Sequence, residues 1–296
     1  MRLPIFLVVL PLCCGAAQRE VYYQGPLSPN SIVPTFDKGY LMVYNGAKVD
    51  LYSPDGWPLY SAAPVVPDTD SARIQNAATD TDGALAAAVA YGDKRKHGGG
   101  IALFDHSGKQ IQFFDTYKYL PTQLAFADDH TIWTLGWQGF PASHDDYLIL
   151  RHYSEDGQEL GAYLHRSTFD AEHDPVGPNT GLWQLRVAGN RIGALFYESS
   201  ILSPGQQLQS MVWVEFDLNG KELGRWDVGH QWVPDAFTTN GALYRLDDTG
   251  VSRLDRLNGT WRHAGGASGR LIGADGNDLV FLVRGTNTLR WVPATQ

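Results

Sequence analysis

Two short clusters hold the residue types best suited to chemistry. His144, Asp145 and Asp146 are consecutive, and Asp170, Glu172, His173 and Asp174 fall within five positions. Carboxylate oxygens suit calcium, and imidazole with carboxylate suits zinc. Neither cluster has the spacing of a zinc helix or a calcium loop. They read first as solvated loop acids, with no metal favoured, and calcium is the one cofactor they leave open. A basic knot, Lys94-Arg95-Lys96-His97, runs into Gly98-Gly99-Gly100. It reads as a solvated hairpin tip before it reads as an anion site. No GxSxG elbow, Walker loop or strand–GxGxxG–helix fingerprint occurs, and the glycine triplet lies between strands rather than before a helix. Asn258-Gly259-Thr260 fits a glycosylation sequon, but it also fits a tight turn where the repeat below requires one.

The composition narrows the partners. The chain has 296 residues, 23 Lys+Arg against 32 Asp+Glu and a formal charge of −9. Such an acidic balance argues against nucleic acid or an anionic membrane surface as the main partner. With 43% hydrophobic and 19% charged residues, a wholly disordered chain is excluded.

The elements that must position any site are strands. The clearest unit is an apolar-alternating strand, a Gly turn and a second strand. It appears at 49–56 (VDLYSPDG), 101–108 (IALFDHSG), 148–157 (LILRHYSEDG), 212–220 (VWVEFDLNG) and, shortened, 252–259 (SRLDRLNG). Period-2 alternation marks half-buried strands, and Asp-Gly or Asn-Gly marks the tight turn. A second hairpin precedes each unit. Its turns are Asp37-Lys38-Gly39, Asp82-Gly83, Asp128-Asp129-His130, Gly189-Asn190, Asn240-Gly241 and Gly276-Asn277. Each unit therefore holds four strands, A to D, in roughly 46 residues, the length of a four-stranded blade. The last unit stops before its outer strand, and residues 20–24 have the composition to supply it.

The repeated strand–turn–strand units resemble a six-bladed β-propeller of the broad NHL-like type found in exported bacterial proteins. The implied fold is all-β, with four-stranded antiparallel blades, the last closed by the N-terminal strand. Seven blades are the alternative. In such a fold the B–C loops and D–A links share one face. The long ones here are 92–100, 136–147, 198–210 and 166–181, on blades 2 to 4. Aligning the units on the A–B turn brings Ile32, Asn76, Gln123, Trp183, Pro234 and Arg270 to the channel mouth, with Gln75, Gln184 and Asp235 beside them. Propeller hydrolases of the lactonase kind gather several carboxylates around calcium near this ring. Here amides, an indole and an arginine replace most of them, which suits a neutral polar ligand stacked on Trp183, Trp137 or Trp232. The expected ligand-binding set is thus Asn76, Gln123, Trp137, Trp183, Gln184, Asp235 and Arg270.

The first segment reads as an address. Met1-Arg2 is a short positive region, residues 3–14 are apolar, and Gly15-Ala16-Ala17 supplies small residues for cleavage. A signal peptide over 1–17 leaves 18–296 as one propeller domain in an exported, periplasmic or secreted protein. Lipidation at Cys13 or Cys14 is the lesser reading, because Leu10-Pro11-Leu12 lacks the small residue expected before a lipidated cysteine. Both cysteines lie in this segment, so the domain carries no disulfide framework. No later stretch is long and apolar enough for a membrane helix.

Two functional readings follow. The first is a non-catalytic module binding a polar small molecule, glycan or protein on the loop-rich face. The second is a metal-assisted hydrolase or lyase on that same face. No residue pattern bears on oligomeric state.

Overall fold

A computed structural model of the chain describes residues 19–25, 34–92, 97–138, 147–166, 182–203, 206–229 and 234–294; for 182–183, 197–203 and 206–210 the description is of the backbone. The described residues form strands and turns with no α-helix. After β1 (Glu20–Tyr22) come β2 (Thr35–Asp37), β3 (Tyr40–Tyr44), β4 (Val49–Tyr52) and β5 (Pro58–Ala62). Next are β6 (Ala72–Thr79), β7 (Leu85–Gly92), β8 (His97–Phe104) and β9 (Gln110–Tyr117), then β10 (Tyr119–Phe126), β11 (Ile132–Gln138), β12 (Leu148–Tyr153) and β13 (Glu159–His165). The second half holds β14 (Leu182–Ala188), β15 (Arg191–Ser203), β16 (Gln206–Asp217) and β17 (Glu222–Gly229), followed by β18 (Ala236–Phe237), β19 (Leu243–Asp247), β20 (Gly250–Asp255) and β21 (Thr260–Gly265). The last three are β22 (Arg270–Asp275), β23 (Asp278–Leu282) and β24 (Thr288–Pro293).

Strands β6–β9, β10–β13, β14–β17 and β18–β21 make separate four-stranded antiparallel sheets. The remaining strands form one eight-stranded sheet in the order β1-β24-β23-β22-β2-β3-β4-β5. Its middle is a single parallel bridge, Phe36 to Gly273. A Cβ on Gly273 would lie 2.3 Å from the Phe36 carbonyl oxygen, so only glycine lets β2 and β22 meet.

Side-chain oxygens and left-handed glycines make the tight turns between the third and fourth strands of a set. Asp105 accepts hydrogen bonds from the Ser107 and Lys109 amides at 2.9 and 3.1 Å, and Asp217 accepts those of Asn219 and Lys221 at 2.9 and 3.0 Å. Gly220, at φ +76°, also lies against the ring of Tyr163 in the preceding sheet; a Cβ there would sit 2.1 Å from that ring. The Asp-Gly and Asn-Gly signals in the sequence therefore have a local cause.

The core consists of layers between successive sheets. Met42, Leu51 and Ala62 pack on Ile74, Ala87 and Phe104. Ala86, Ala88 and Ile101 pack on Leu124, Phe126 and Tyr153. Trp133, Leu135 and Ile149 meet Ile192, Phe196 and Val214. Leu195 and Trp213 meet Phe237 and Leu254, and Tyr244 and Val251 meet Leu271 and Phe281. Finally Ile272, Val280 and Trp291 return to Phe36, Leu41 and Val43. The layers close on themselves, so the sheets are arranged radially as a β-propeller. Ala86, Ala87 and Ala88 in β7 have no exposed surface. Both faces of that strand are covered, and small side chains let the flanking sheets converge there.

The first and last strands join by backbone pairing. β1 runs antiparallel to β24, with Val21 opposite Leu289, and Arg290 Nε donates to Glu20 at 2.6 Å. Tyr23 is fully buried against Tyr52 in the same layer. A buried carboxylate ties the β14–β17 sheet to its neighbour: Glu215, with no exposed side-chain surface, accepts from Arg191 Nη1 at 2.9 Å, Trp213 Nε1 at 3.0 Å and Arg256 Nε at 3.1 Å.

Two predicted loops are strand over their described residues. Residues 198–203 and 206–210 belong to β15 and β16, which pair out to Ser203–Gln206. In 92–100, β7 runs through Gly92 and β8 resumes at His97. The polar, Gly-rich composition of these stretches hides pairing that continues beyond the sheet core.

Candidate functional site

A cavity of about 280 Å³ lies where the first strands of the sets converge. Thr35 to Asp37 line it from β2, Asn76 to Ala78 from β6, Gln123 to Ala125 from β10, Gln184 to Val187 from β14, Phe237 from β18 and Ala274 from β22. Met42 and Tyr44 of β3 complete the wall. It is the central cavity of the propeller.

Bulges set which side chains enter. The ladders of β6, β10, β14 and β22 each skip one residue, between Ile74 and Asn76, Pro121 and Gln123, Leu182 and Gln184, and Leu271 and Gly273. An extra residue at a bulge bends the strand and re-aims its side chains. The three amides Asn76, Gln123 and Gln184 follow the bulge in equivalent positions. Two residues further on, β6 and β10 present Ala78 and Ala125, whereas β14 presents Arg186. The alanines leave room for the one long cationic side chain that these three strands contribute at this level.

The polar groups change in kind along the cavity. Around the amides, Asn76 Oδ1 accepts the Leu124 amide at 3.1 Å and its side chain also bonds the Tyr44 hydroxyl. Burial raises the Tyr44 phenol, against the Asn76 bond and Arg186. Arg186 follows, and Asp37 stands at the A–B turn end. Burial pushes the Asp37 carboxyl above the usual carboxylate range, opposed by Arg186, Lys38 and the Thr79 amide. Among the described residues, Arg186 forms no ion pair; its Nε and the Oε1 of Gln184 are buried without a hydrogen-bond partner. Both atoms lack accessible surface, so each residue meets the cavity through its other atoms.

The remaining expected residues are distributed as follows. Asp235 accepts the Leu246 amide at 2.8 Å. Burial raises its carboxyl to about 6, against that bond, Arg186 and Arg270. Arg270 begins β22 and is exposed, three residues before the bulge position taken by Gly273. Trp137 does not line the cavity. It shares a strand face with Trp133 and Leu135 and packs against the layer between the β10–β13 and β14–β17 sheets. The β14 bulge puts Gln184, rather than Trp183, in register with Asn76 and Gln123, and the Trp183 side chain lies outside the description. Ile32, residues 94–96, His144, Asp145, Asp146, Asp170, Glu172, His173, Asp174 and Trp232 lie outside the described residues. Among the described residues no group of three or more His, Cys, Asp or Glu is placed to hold a metal. Asp37, Tyr44 and Arg186 are cavity residues that the sequence reading missed. The signal for Arg186 was its place two residues after Gln184 on an alternating strand.

No family model matches the chain, and no curated protein matches it in sequence. Among solved structures it is similar to a protein of unknown function from Bacteroides caccae, at 14% identity and TM-score 0.40 over 77% of each chain. It is similar to the Neurospora crassa Pan2 WD40 domain at 11% identity and TM-score 0.45, over 88% of this chain and 75% of that one. The Dos1 propeller gives 11% identity and TM-score 0.48 over 88% and 78%. At this degree of similarity the likenesses carry no argument about function. The propeller is read from the strand order, the closed set of core layers and the shared cavity.

At the A–B turn face, Lys38 Nζ donates to the Ala127 carbonyl at 3.0 Å and lies 3.8 Å from Asp80, which His130 Nδ1 meets at 2.5 Å. The bond to Asp80 raises the His130 imidazole. These contacts tie three successive sets together beside Asp37 and keep that end of the cavity fixed.

Proposed function

We propose that this protein is a non-catalytic binding propeller that takes a small polar molecule into its central cavity. In this reading the eight-stranded sheet counts as two blades meeting at the Phe36–Gly273 bridge, which makes six blades in all, the last completed by β1. The NHL-like kinship and export through residues 1–17 belong to the same proposal. They rest on the repeated strand–turn units and the N-terminal composition. The observation that carries the binding role is a cavity of about 280 Å³ on which Asp37, Asn76, Gln123, Gln184 and Arg186 converge. A concave space on which a few polar side chains converge is the usual setting for a small-molecule site.

The test is thermal stabilisation by a collection of small sugars, polyols, amides and carboxylates, repeated on Gln123→Trp. Gln123 lines the cavity, and an indole there fills the space. A ligand at about 100 times its dissociation constant adds roughly 2.7 kcal/mol, an upward shift of the melt. Stabilisation of the parent protein that disappears in the Trp variant supports the proposal. Stabilisation that persists in the variant places the ligand elsewhere and refutes it.

A further inference from the structure

We infer that Asn258 is a site of spontaneous covalent modification: its side chain cyclises onto the Gly259 nitrogen, and water then converts it to aspartate and isoaspartate. The inference is independent of the cavity. The reaction needs an asparagine side-chain amide that can reach the next residue's backbone nitrogen, and a glycine there puts no side chain in the way. Four Asn-Gly pairs occur, at 45–46, 219–220, 240–241 and 258–259. The fold closes three of them and leaves one open.

The open pair lies in the turn between β20 and β21. In the turns that Asp105 and Asp217 begin, three residues separate the backbone-bonded ends, Asp105 with Lys109 and Asp217 with Lys221. Four residues, 256–259, separate the paired Asp255 and Thr260. The extra residue changes which amide closes the turn. In the shorter turns the glycine donates to the aspartate carbonyl, Gly108 to Asp105 and Gly220 to Asp217, both at 2.9 Å. In the longer one the Asn258 amide takes that bond to Asp255 at 3.3 Å, and the Gly259 N–H has no partner among the described residues. Asn258 and Gly259 are exposed, and nothing lies within 4 Å of the place a Gly259 Cβ would take. The Asn258 side chain makes one bond, from Nδ2 to Asp255 Oδ2 at 2.7 Å, and its Oδ1 has no partner among the described residues.

The other pairs are held. Asn45 Oδ1 accepts the Ala47 and Lys48 amides, both at 3.1 Å. Asn240 Oδ1 accepts the Thr238 hydroxyl at 2.7 Å and the Ala242 amide at 3.1 Å, and the Gly241 N–H is bonded to the Thr238 carbonyl at 2.7 Å. These bonds fix each side-chain carbonyl over its own turn. At Asn219 the hindrance is in the backbone: the Gly220 N–H is bonded, and Gly220 lies against the Tyr163 ring with no room to shift.

The step needs no oxidant and no co-reactant other than water. The Gly259 nitrogen forms a bond to Asn258 Cγ, the Cγ–Nδ2 bond breaks, and Nδ2 leaves as ammonia with the proton that the Gly259 nitrogen gives up. Water then opens either carbonyl–nitrogen bond of the resulting succinimide. One opening restores the chain with an aspartate, and the other routes the chain through Cγ as isoaspartate. Either way the turn gains a negative charge beside Asp255 and loses the Nδ2 donor. The change falls two residues from Arg256, whose Nε reaches Glu215 in the neighbouring sheet.

The experiment incubates the purified protein in mildly alkaline buffer made with heavy-oxygen water, folded in one arm and in concentrated guanidinium in the other. Peptide mass spectrometry follows the four Asn-Gly pairs, with chromatography that separates aspartate from isoaspartate. In the folded protein Asn258 should convert about fivefold or more faster than each other pair, the factor by which a hydrogen bond of net ~1 kcal/mol holds a turn closed. Each conversion should take up one heavy oxygen and yield both products. In guanidinium the four pairs should convert at similar rates, since each asparagine is followed by glycine. Asn258→Gln, whose longer side chain disfavours the ring, should stay unchanged at that position, with melts to confirm folding.

Conversion at another pair as fast as at Asn258 in the folded protein overturns the inference. A lead for Asn258 that persists in guanidinium also overturns it, because flanking sequence rather than the open turn would then set the rate. Aspartate without isoaspartate means direct hydrolysis of the side chain and overturns the cyclisation. A folded protein unchanged at Asn258 while the unfolded chain converts overturns it as well.

Discussion

Asp235, buried near Arg186, offers a direct test of how far folding withdraws its carboxyl from water. Its carboxyl rises from the 3.8 of a free aspartate to about 6, chiefly through burial. An acid raised by folding binds its proton more tightly in the native state. Its contribution to stability is fully present below about pH 4 and is lost as pH climbs through 6. The displacement corresponds to at most about 3 kcal/mol, and water reaching the half-buried side chain reduces this to roughly 1–2 kcal/mol. Asp235→Asn keeps an oxygen to accept the Leu246 amide and removes the titration. Urea unfolding of both proteins at intervals from pH 4 to pH 8 isolates the effect, because every other group cancels in the difference. The variant is expected to gain relative to the parent as pH rises, most steeply between 4 and 6, and to hold its advantage above 7. A flat difference across the range would show that Asp235 is as well solvated folded as unfolded and would refute its burial.

Further outcomes follow from contacts elsewhere in the fold. Glu215→Leu leaves Arg191, Arg256 and the Trp213 indole without their common acceptor and should cost about 3 kcal/mol in chemical unfolding. Arg191→Met should cost less, because its side chain is 40% exposed. Tyr23→Phe removes a buried hydroxyl with no partner among the described residues and should be neutral or stabilising. Tyr119→Phe loses bonds to Thr134 and the Ile149 carbonyl, both 3.0 Å, and should cost about 1 kcal/mol, as read from paired melts. The His130 imidazole should titrate above 6.5 by NMR and fall back in Asp80→Asn. Its small stabilisation is present below 6.5 and disappears as pH rises through the raised value. Melts in excess calcium and in chelator should superimpose; a clear upward shift with calcium would revive the metal-assisted hydrolase.

The repeat was legible because its turns depend on local chemistry. Asp105 and Asp217 fix their turns through bonds to residues two and four positions ahead, and the glycines supply backbone angles that other residues avoid. Such signals survive in a single sequence. The amides of the cavity were legible too, since Asn76 and Gln123 precede their turns at a constant distance. The differences came from turn length and strand faces. The turn after β14 leaves only residues 189–190 between paired positions, against 80–84 after β6 and 127–131 after β10, so alignment on the turns lands on Trp183 where the shared bulge puts Gln184. Trp137 was assigned by residue type, but alternation with Trp133 and Leu135 sends it between sheets. Arg186 escaped notice because its partners in register are alanines on β6 and β10, far away in sequence. The polar composition of 198–210 weakens the strand signal and predicts a loop, although the backbone of 198–203 pairs with that of 206–210.

The pairing of β1 with β24 also sets an order of events in time. The ion pair across it joins residues 270 positions apart, so no local encounter can form it. Contacts of such long sequence separation are slow to form and come late. A chain emerging from synthesis can assemble the β6–β9 sheet from neighbouring hairpins. β1, however, has nothing to pair with until β24 appears, and β2 likewise waits for Gly273. In the interval the ring is open. Tyr23, Phe36 and Leu41 on one side, and Ile272 and Val280 on the other, form two apolar faces beside unpaired strand edges. Each edge is a template for another copy of the chain, and such exposure is a route to misassembly. Closing the ring is therefore the step at which the nascent protein is most vulnerable, and its outcome depends on β24 reaching β1.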